Sequence, residues 1–175
     1  MPALIVLSGP PGVGKSTVGD AIASLRPVVR LSIDDVEEAM LGCGLLSEQT
    51  GVAAYEVVRA AAEQNLLLGH VVVVDAVNDS EPARETWTRA ARAAGATLLV
   101  AVLGIADAAE HRARLEGRSR PFVRIAEPTW ASMDARLAAT APWGTDALRL
   151  DASRPALELA RIVLAASSAP PAGAA

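Results

Sequence analysis

The chain has 175 residues, of which 51% are hydrophobic, a formal net charge of −4 at pH 7, and a single cysteine. This size suits one domain with a substantial core, and the hydrophobic content argues against a disordered protein. The acidic balance disfavours nucleic acid as a partner, and a lone cysteine, which forms no internal disulfide, is typical of a reducing compartment. No apolar run approaches the ~18 residues of a membrane span and no signal peptide is recognisable, so we expect a cytoplasmic protein with no membrane partner.

Predicted strands and helices alternate along the chain. We expect strands at 3–8, 28–33, 71–75, 97–103 and 147–150. Helices should follow them, at 34–41, 52–68, 81–94, 128–139 and 155–166, with further helices after the first strand and after Asp107. This alternation predicts an α/β fold in which a central parallel five-stranded sheet lies between two layers of helices. We assign residues 1–167 to one domain and the proline-rich residues 168–175 to a disordered tail.

The first predicted strand leads into a phosphate-binding loop. The pattern G-x-x-x-x-G-K-[ST] is complete from Gly9 to Ser16. Glycines let the backbone turn its N–H groups inward, and the N-terminus of the following helix adds partial positive charge, so the loop should hold phosphates. The alternative is a glycine-rich turn that merely joins a strand to a helix. The expected nucleotide-binding residues of the loop are Gly9, Pro10, Pro11, Gly12, Val13, Gly14, Lys15, Ser16 and Thr17.

Lys15 is the only lysine among the sixteen basic residues of the chain. A compact ammonium on a flexible stem fits inside such a loop, where a forked guanidinium would not. We expect Lys15 to reach the β- and γ-phosphates and Ser16 to bind Mg²⁺.

Asp75 ends the third predicted strand and resembles the Walker B carboxylate that holds Mg²⁺. We therefore expect Ser16 and Asp75 to be the metal ligands. Hydrolytic motor ATPases usually carry a glutamate at the next position, which is Ala76 here, so transfer to an acceptor is favoured over hydrolysis. Asn78 either shapes the acceptor site or serves turn geometry.

Asp34 and Asp35 directly follow the second predicted strand. Because parallel strands end at one common edge, this pair should lie near the phosphate loop. A carboxylate there can accept the proton of an acceptor hydroxyl, and Asp34 is favoured because it is nearer to the strand. Either aspartate could instead belong to an ordinary capping box, with Glu37 or Glu38 as its partner.

Five of the fifteen arginines fall within thirteen residues, Arg112, Arg114, Arg118, Arg120 and Arg124. On a helix, Arg114 and Arg118 would be one turn apart and face the same way. On a mobile lid at about residues 112–127, this pair could close over the phosphates and neutralise charge that develops during transfer. A solvated basic face is the alternative.

With the loop, the aspartate pair, the VVVVDAVN strand end and the arginine segment, residues 3–165 resemble small P-loop kinases. The pattern is similar to that of the chloramphenicol phosphotransferase, zeta-toxin and polynucleotide 5′-kinase group. The resemblance implies a P-loop NTPase fold of the nucleotide-kinase type, ATP as donor, Mg²⁺ as cofactor and a hydroxyl as acceptor. It implies Asp34 as general base and lid contacts to phosphate from Arg114 and Arg118. The expected catalytic residues are therefore Lys15, Asp34, Arg114 and Arg118, and Arg118 should also contact the nucleotide.

The sequence thus predicts an ATP- and Mg²⁺-dependent kinase for a hydroxyl of an antibiotic-, nucleoside- or sugar-like small molecule, acting as a monomer or homodimer. One alternative is a polynucleotide 5′-hydroxyl kinase. Its pattern has an arginine three residues after the base, where this chain has Glu37. The other alternative is a nucleotide-binding switch or NTPase, but a GTPase is disfavoured because its N-K-x-D element needs a second lysine.

Overall fold

Five parallel strands form the one sheet found in residues 1–140 and 143–168, the part of the chain that the computed structural model describes. The strand order is β2-β3-β1-β4-β5. The strands are β1 (Ala3–Ser8), β2 (Val29–Ser32), β3 (Val71–Asp75), β4 (Thr97–Gly104) and β5 (Leu148–Asp151). The predicted α/β class and five-stranded parallel sheet are confirmed.

Helices connect the strands and cover both faces of the sheet. They are α1 (Lys15–Leu25), α2 (Ile33–Gly42), α3 (Ser47–Leu67), α4 (Glu81–Ala93), α5 (Ala108–Gly117), α6 (Trp130–Ala139) and α7 (Ala156–Ser167). Within the described ranges, none of these helices is both long and apolar enough to cross a membrane.

The central strand β1 is buried on both of its faces. Ile5 and Leu7 pack into a cluster with residues of α1 and α7, whereas Leu4 and Val6 pack into a second cluster with residues of α3 and α4. Successive side chains of a strand point to opposite faces, so the two clusters lie on opposite sides of the sheet. The expected three layers are present, which leaves the carboxyl edge of the sheet as the place for a site.

Several predicted element ends shift by a few residues, each for a local reason. Helix α3 begins five residues earlier than expected, where the side chain of Gln49 accepts the Leu46 N–H. Helix α6 begins two residues later, because Thr129 accepts the Ser132 N–H and caps it. All of the predicted tail beyond Ser168 lies outside the described residues.

Candidate active site

The phosphate loop runs from β1 into α1, and three of its glycines have positive φ. The angles are +142° at Gly9, +87° at Gly12 and +91° at Gly14. A Cβ on Gly9 would lie 2.4 Å from the carbonyl oxygen of Leu103, and one on Gly12 would lie 3.1 Å from Cα of Leu115. The loop is therefore packed between the end of β4 and helix α5, at positions that only glycine fits.

Replacing Gly9 with alanine should destabilise the nucleotide-free protein by at least about 2 kcal/mol, because the added Cβ meets backbone that cannot turn away. Gly14 is the matched control: it also has positive φ, but nothing lies within 4 Å of the position that a Cβ would take there. Gly14→Ala should cost only about 1 kcal/mol of backbone strain. Urea unfolding of both variants checks this, and equal losses would show that the contact with Leu103 is unimportant.

Lys15 lies at the first position of α1 with its ammonium folded back over the loop. Its Nζ donates a hydrogen bond of 3.1 Å to the carbonyl oxygen of Pro10. Burial lowers the pKa of Lys15, and the nearby carboxylates of Asp75 and Asp34 oppose that shift. The ammonium thus lies in a partly desolvated position within the electrostatic influence of two carboxylates, where its charge acts strongly on a bound anion.

Ser16 and Asp75, predicted together as metal ligands, are in direct contact. The hydroxyl of Ser16 donates a hydrogen bond of 2.5 Å to Oδ2 of Asp75. Asp75 is only 6% exposed, and burial raises its pKa while Lys15 and Ser16 oppose the rise. In the described residues no group of three or more His, Cys, Asp or Glu side chains could hold a metal ion. One hydroxyl and one carboxylate suit Mg²⁺, which takes few protein ligands and completes its shell with water and phosphate oxygens.

The two aspartates at the start of α2 have different surroundings. Asp34 is partly buried and lines the main cavity, whereas Asp35 is exposed and does not. The capping-box alternative is wrong for both, since the side chain of Ser32 caps α2 by accepting the Asp35 N–H. Oδ2 of Asp34 accepts a hydrogen bond from Nη1 of Arg120. Of the pair, only Asp34 meets the geometric requirement for a group that acts on a ligand in this cavity.

The expectation that Arg114 and Arg118 share a helix face is wrong. Helix α5 ends at Gly117, and Arg118 has an extended backbone with ψ of 145°. Arg114 binds the carbonyl oxygen of Ala152 and the carboxylate of Glu110, at 2.8 and 2.7 Å. Both arginines still line the main cavity, but from a helix and from the segment after it.

A carboxylate that the sequence pattern did not single out, Glu127, joins two of the arginines. Its Oε2 accepts the Nε–H of Arg118 and its Oε1 accepts the Nε–H of Arg120, both at 2.7 Å. These bonds hold the pKa of Glu127 below its usual value, against the effect of burial. Because Arg120 also binds Asp34, one chain of ion pairs runs from the candidate base to Arg118.

Glu38 fastens the segment after α5 to helix α2. Its carboxylate accepts the backbone N–H groups of Val123, Arg124 and Ile125 at distances between 3.0 and 3.1 Å. Burial alone would raise the pKa of Glu38, but these three backbone donors outweigh it and hold the pKa below its usual value. The ionised carboxylate therefore sets where the arginine segment meets α2.

We expect this attachment to weaken in acid. The pKa of Glu38 in the folded protein lies below the ordinary 4.5. The stability that the ionised carboxylate gives to this attachment is therefore complete above about pH 4.5, and it is lost as the pH falls through the pKa of the folded state. Amide hydrogen exchange should then show lower protection at residues 123–125, after correction for intrinsic rates. At neutral pH, Glu38→Gln should lower that protection roughly fivefold, because a neutral acceptor is weaker. Glu116→Gln, in an exposed pair with Arg112, is the control; equal protection in the two variants would contradict the assignment.

One cavity of about 890 Å³ connects these groups. Its walls come from the phosphate loop, from α2, α3, α4 and α6, from the loop after β3 and from the segment after α5. The predicted site residues that line it are Pro11, Gly12, Gly14, Lys15, Ser16, Thr17, Asp34, Asp75, Arg114 and Arg118. Gly9 and Pro10 line a second cavity of about 210 Å³ instead, and Val13 is buried in the core.

Asn78 has a structural position rather than one in the main cavity. It is fully buried with φ of +57°, and its Oδ1 accepts the Nε1–H of Trp87 at 2.7 Å. Its N–H donates to the hydroxyl of Tyr55, which does line the cavity. Burial raises the pKa of Tyr55 to about 12, so this phenol stays protonated at neutral pH. The turn interpretation of Asn78 is the one that fits.

Comparison with known proteins matches most of the chain to one family. The model of the family AAA_33, described as an AAA domain, covers residues 4–140. A curated protein of Bacillus subtilis (strain 168), the uncharacterized protein YojN, is 29% identical over 82 residues, which are 45% of this chain and 27% of YojN. The match thus spans about a quarter of the length of that relative.

Solved structures with this fold include kinases. A gluconokinase from Sinorhizobium meliloti 1021 is 21% identical, with a TM-score of 0.64 over 94% of this chain and 90% of its own. A putative kinase from Chloroflexus aurantiacus is 20% identical, with a TM-score of 0.72 over 95% and 98% of the two chains. At this level of identity the likeness establishes a shared P-loop kinase fold.

Proposed function

The chain belongs to the AAA_33 family of AAA domains, and from this premise we propose that it is an ATP- and Mg²⁺-dependent kinase that phosphorylates a hydroxyl of a small molecule. The finer assignment to the chloramphenicol phosphotransferase, zeta-toxin and polynucleotide 5′-kinase group remains part of this proposal. So do the cytoplasmic location and the description of residues 112–127 as a lid.

A single observation carries the proposal. The phosphate loop, Asp34 and residues of α3 and α4 all line one cavity of about 890 Å³. A phosphate donor alone would fill the part beside the loop, so the remainder is available for an acceptor. A carboxylate between the two parts is where a kinase needs a group that orients the acceptor hydroxyl.

In this proposal the loop binds the phosphates and Asp34 accepts the hydroxyl proton. Lys15 and the loop backbone hold the donor, and Lys15 draws electron density from the transferred group. Asp34 needs only one carboxylate oxygen for the proton, and the bond to Arg120 occupies the other. Arg118, once released from Glu127, would neutralise charge on the transferring phosphoryl group, with Arg114 beside it.

Ser16 and Asp75 are the groups that would hold Mg²⁺. When bound, the ion would supply positive charge that offsets the negative charge of the donor phosphates. The contact between the Ser16 hydroxyl and Asp75 keeps both oxygens together before any ligand arrives. It also offsets part of the cost of burying the Asp75 carboxylate.

A transfer assay tests the proposal. The protein is incubated with Mg²⁺ and γ-labelled ATP and a panel of hydroxylated antibiotics, nucleosides, sugars and 5′-hydroxyl oligonucleotides. Label on a small molecule supports the proposal and names the acceptor. Label on the oligonucleotide would favour the polynucleotide kinase, and label in free phosphate alone would favour an NTPase or a switch.

A further inference from the structure

The part of the main cavity beyond Asp34 has an unusual charge balance. We call it the acceptor half, and it is lined by α2, α3, α4, α6 and the loop after β3. Its charged lining residues beyond Asp34 are Glu37, Glu56, Asp79, Arg89 and Arg136, whereas Asp34 itself is paired with Arg120. Three carboxylates and two arginines leave a formal excess of one negative charge. The side chains outside the described ranges are all uncharged, so they do not alter this count.

Both arginines of the acceptor half already have carboxylate partners. Arg136 binds Oδ2 of Asp79 through Nη2 and Nε, at 2.5 and 3.1 Å. Arg89 binds Oε1 of Glu56 through Nη2 at 2.5 Å, which links α4 to α3. The charges of both guanidinium groups are therefore already compensated, so a phosphate or carboxylate on a ligand would add negative charge to a region whose arginines are paired.

Among the residues that the structure describes, Glu37 is the acceptor-half carboxylate with no arginine in hydrogen-bond or ion-pair contact. Its Oε1 accepts a 2.7 Å hydrogen bond from the hydroxyl of Thr50, a residue of α3 that is fully buried. It lies three residues after Asp34, so the two carboxylates share one face of α2. A buried hydroxyl thus orients a carboxylate towards the same cavity as the candidate base.

The opposite end of the cavity has the reverse charge. Its lining contains Lys15, Arg114, Arg118 and Arg120 with the carboxylates of Asp75 and Asp34. The formal charge of the lining residues is therefore positive where a phosphate donor would bind and negative beyond Asp34. A negatively charged acceptor would be attracted to the donor end and repelled from the acceptor half.

We propose that the acceptor half binds a hydroxyl compound that carries no negative charge, and that Glu37 accepts a hydrogen bond from a second hydroxyl or an ammonium of that compound. Amino alcohols and amino sugars have this chemistry, and phosphorylated or acidic acceptors do not. The identification of the ligand as an acceptor rests on the proposed kinase function, but the charge preference of the cavity does not.

A thiol probe tests the charge preference without knowledge of the acceptor. Ser80 is exposed, lines the acceptor half and makes no capping bond through its side chain, so Ser80→Cys is a mild change. It is made together with Cys43→Ser, which removes the native thiol. Cationic and anionic methanethiosulfonates of similar size are then reacted with the nucleotide-free protein. The exposed Cys43 of the wild-type protein, outside the cavity, gives the reference ratio of the two rates.

We expect the cationic-to-anionic rate ratio of the Ser80→Cys variant to exceed that of Cys43 by about fivefold or more at low salt. Adding Glu37→Gln to the Ser80→Cys variant should lower its cationic-to-anionic rate ratio towards that of Cys43. Glu48→Gln, at an exposed position outside the cavity, should leave the ratio unchanged. A ratio equal to or below that of Cys43 would overturn the proposal.

The labelled-ATP assay provides the second arm, with glucose, glucosamine and gluconate as acceptors of one carbon skeleton and different charge. Label on glucose or glucosamine supports the proposal, and preferential label on gluconate overturns it. If none is labelled and no other acceptor is found, while the thiol probe reports a negative cavity, the kinase function fails and the charge preference stands. The two failures are therefore distinguishable.

Discussion

Asp34→Asn should reduce phosphoryl transfer by about 10²–10⁴-fold while nucleotide binding is retained. An amide cannot accept the hydroxyl proton, but its oxygen can still accept the hydrogen bond from Arg120, so the local geometry is kept. Single-turnover transfer to the acceptor found in the panel measures the loss. Titration with a fluorescent ATP analogue measures binding.

Asp35→Asn is the matched control for that change. Asp35 is adjacent in sequence, has the same charge and lies in the same helical turn, but it is exposed and away from the cavity. Its transfer rate should stay within about twofold of the wild-type rate, as is usual for surface substitutions. Retained turnover in Asp34→Asn, or an equal loss in both variants, would remove Asp34 from the role of base.

Lys15→Met should lower transfer by about 10²–10³-fold and also weaken nucleotide binding, because it removes the only lysine from the phosphate loop. The same change should not lower the melting temperature of the nucleotide-free protein. Burial lowers the pKa of Lys15, which means that its charge is held at a cost to the folded state. Thermal unfolding with and without Mg²⁺ and ATP separates these effects. Without nucleotide, the melting temperature of the variant should be no lower than that of the wild type, and the nucleotide should raise it only a little.

Lys15→Arg provides the corresponding control, since it keeps the charge and changes only the shape of the group. A planar fork should not fit where a compact ammonium reaches back to the carbonyl oxygen of Pro10, so this variant should also be impaired. Normal transfer in Lys15→Arg would mean that a positive charge is sufficient at this position, whatever its geometry.

The sequence predicts the parts of this site that depend on local pattern. The loop from Gly9 to Ser16 is one continuous motif, and its placement after a buried strand follows from apolar runs that alternate with helical ones. The pairing of Ser16 with Asp75 is also predictable, because the loop that follows β1 and the last residue of β3 lie at the common carboxyl edge of the parallel sheet.

Contacts between segments that are far apart in the sequence cannot be predicted from local patterns. Glu38 and Val123 are separated by 85 residues, and no local sequence pattern indicates that a carboxylate on α2 accepts a hydrogen bond from the backbone N–H of Val123. The placement of Arg118 on a helix face is wrong because α5 ends at Gly117, and a glycine is a local stop signal that the four-residue spacing of the arginines leaves out of account. Glu127 escapes sequence analysis because its importance comes only from the arginines around it.

The contacts of helix α5 with the phosphate loop have a mechanical consequence. Nε2 of His111 lies 2.8 Å from the carbonyl oxygen of Pro11, and Leu115 leaves no room for a Cβ on Gly12. Helix and loop are thus in contact at two points one helical turn apart, so we expect them to stay together in any motion. If the segment after Gly117 is the proposed lid, Arg114 would keep its position beside the loop, whereas Arg118 would move with the lid.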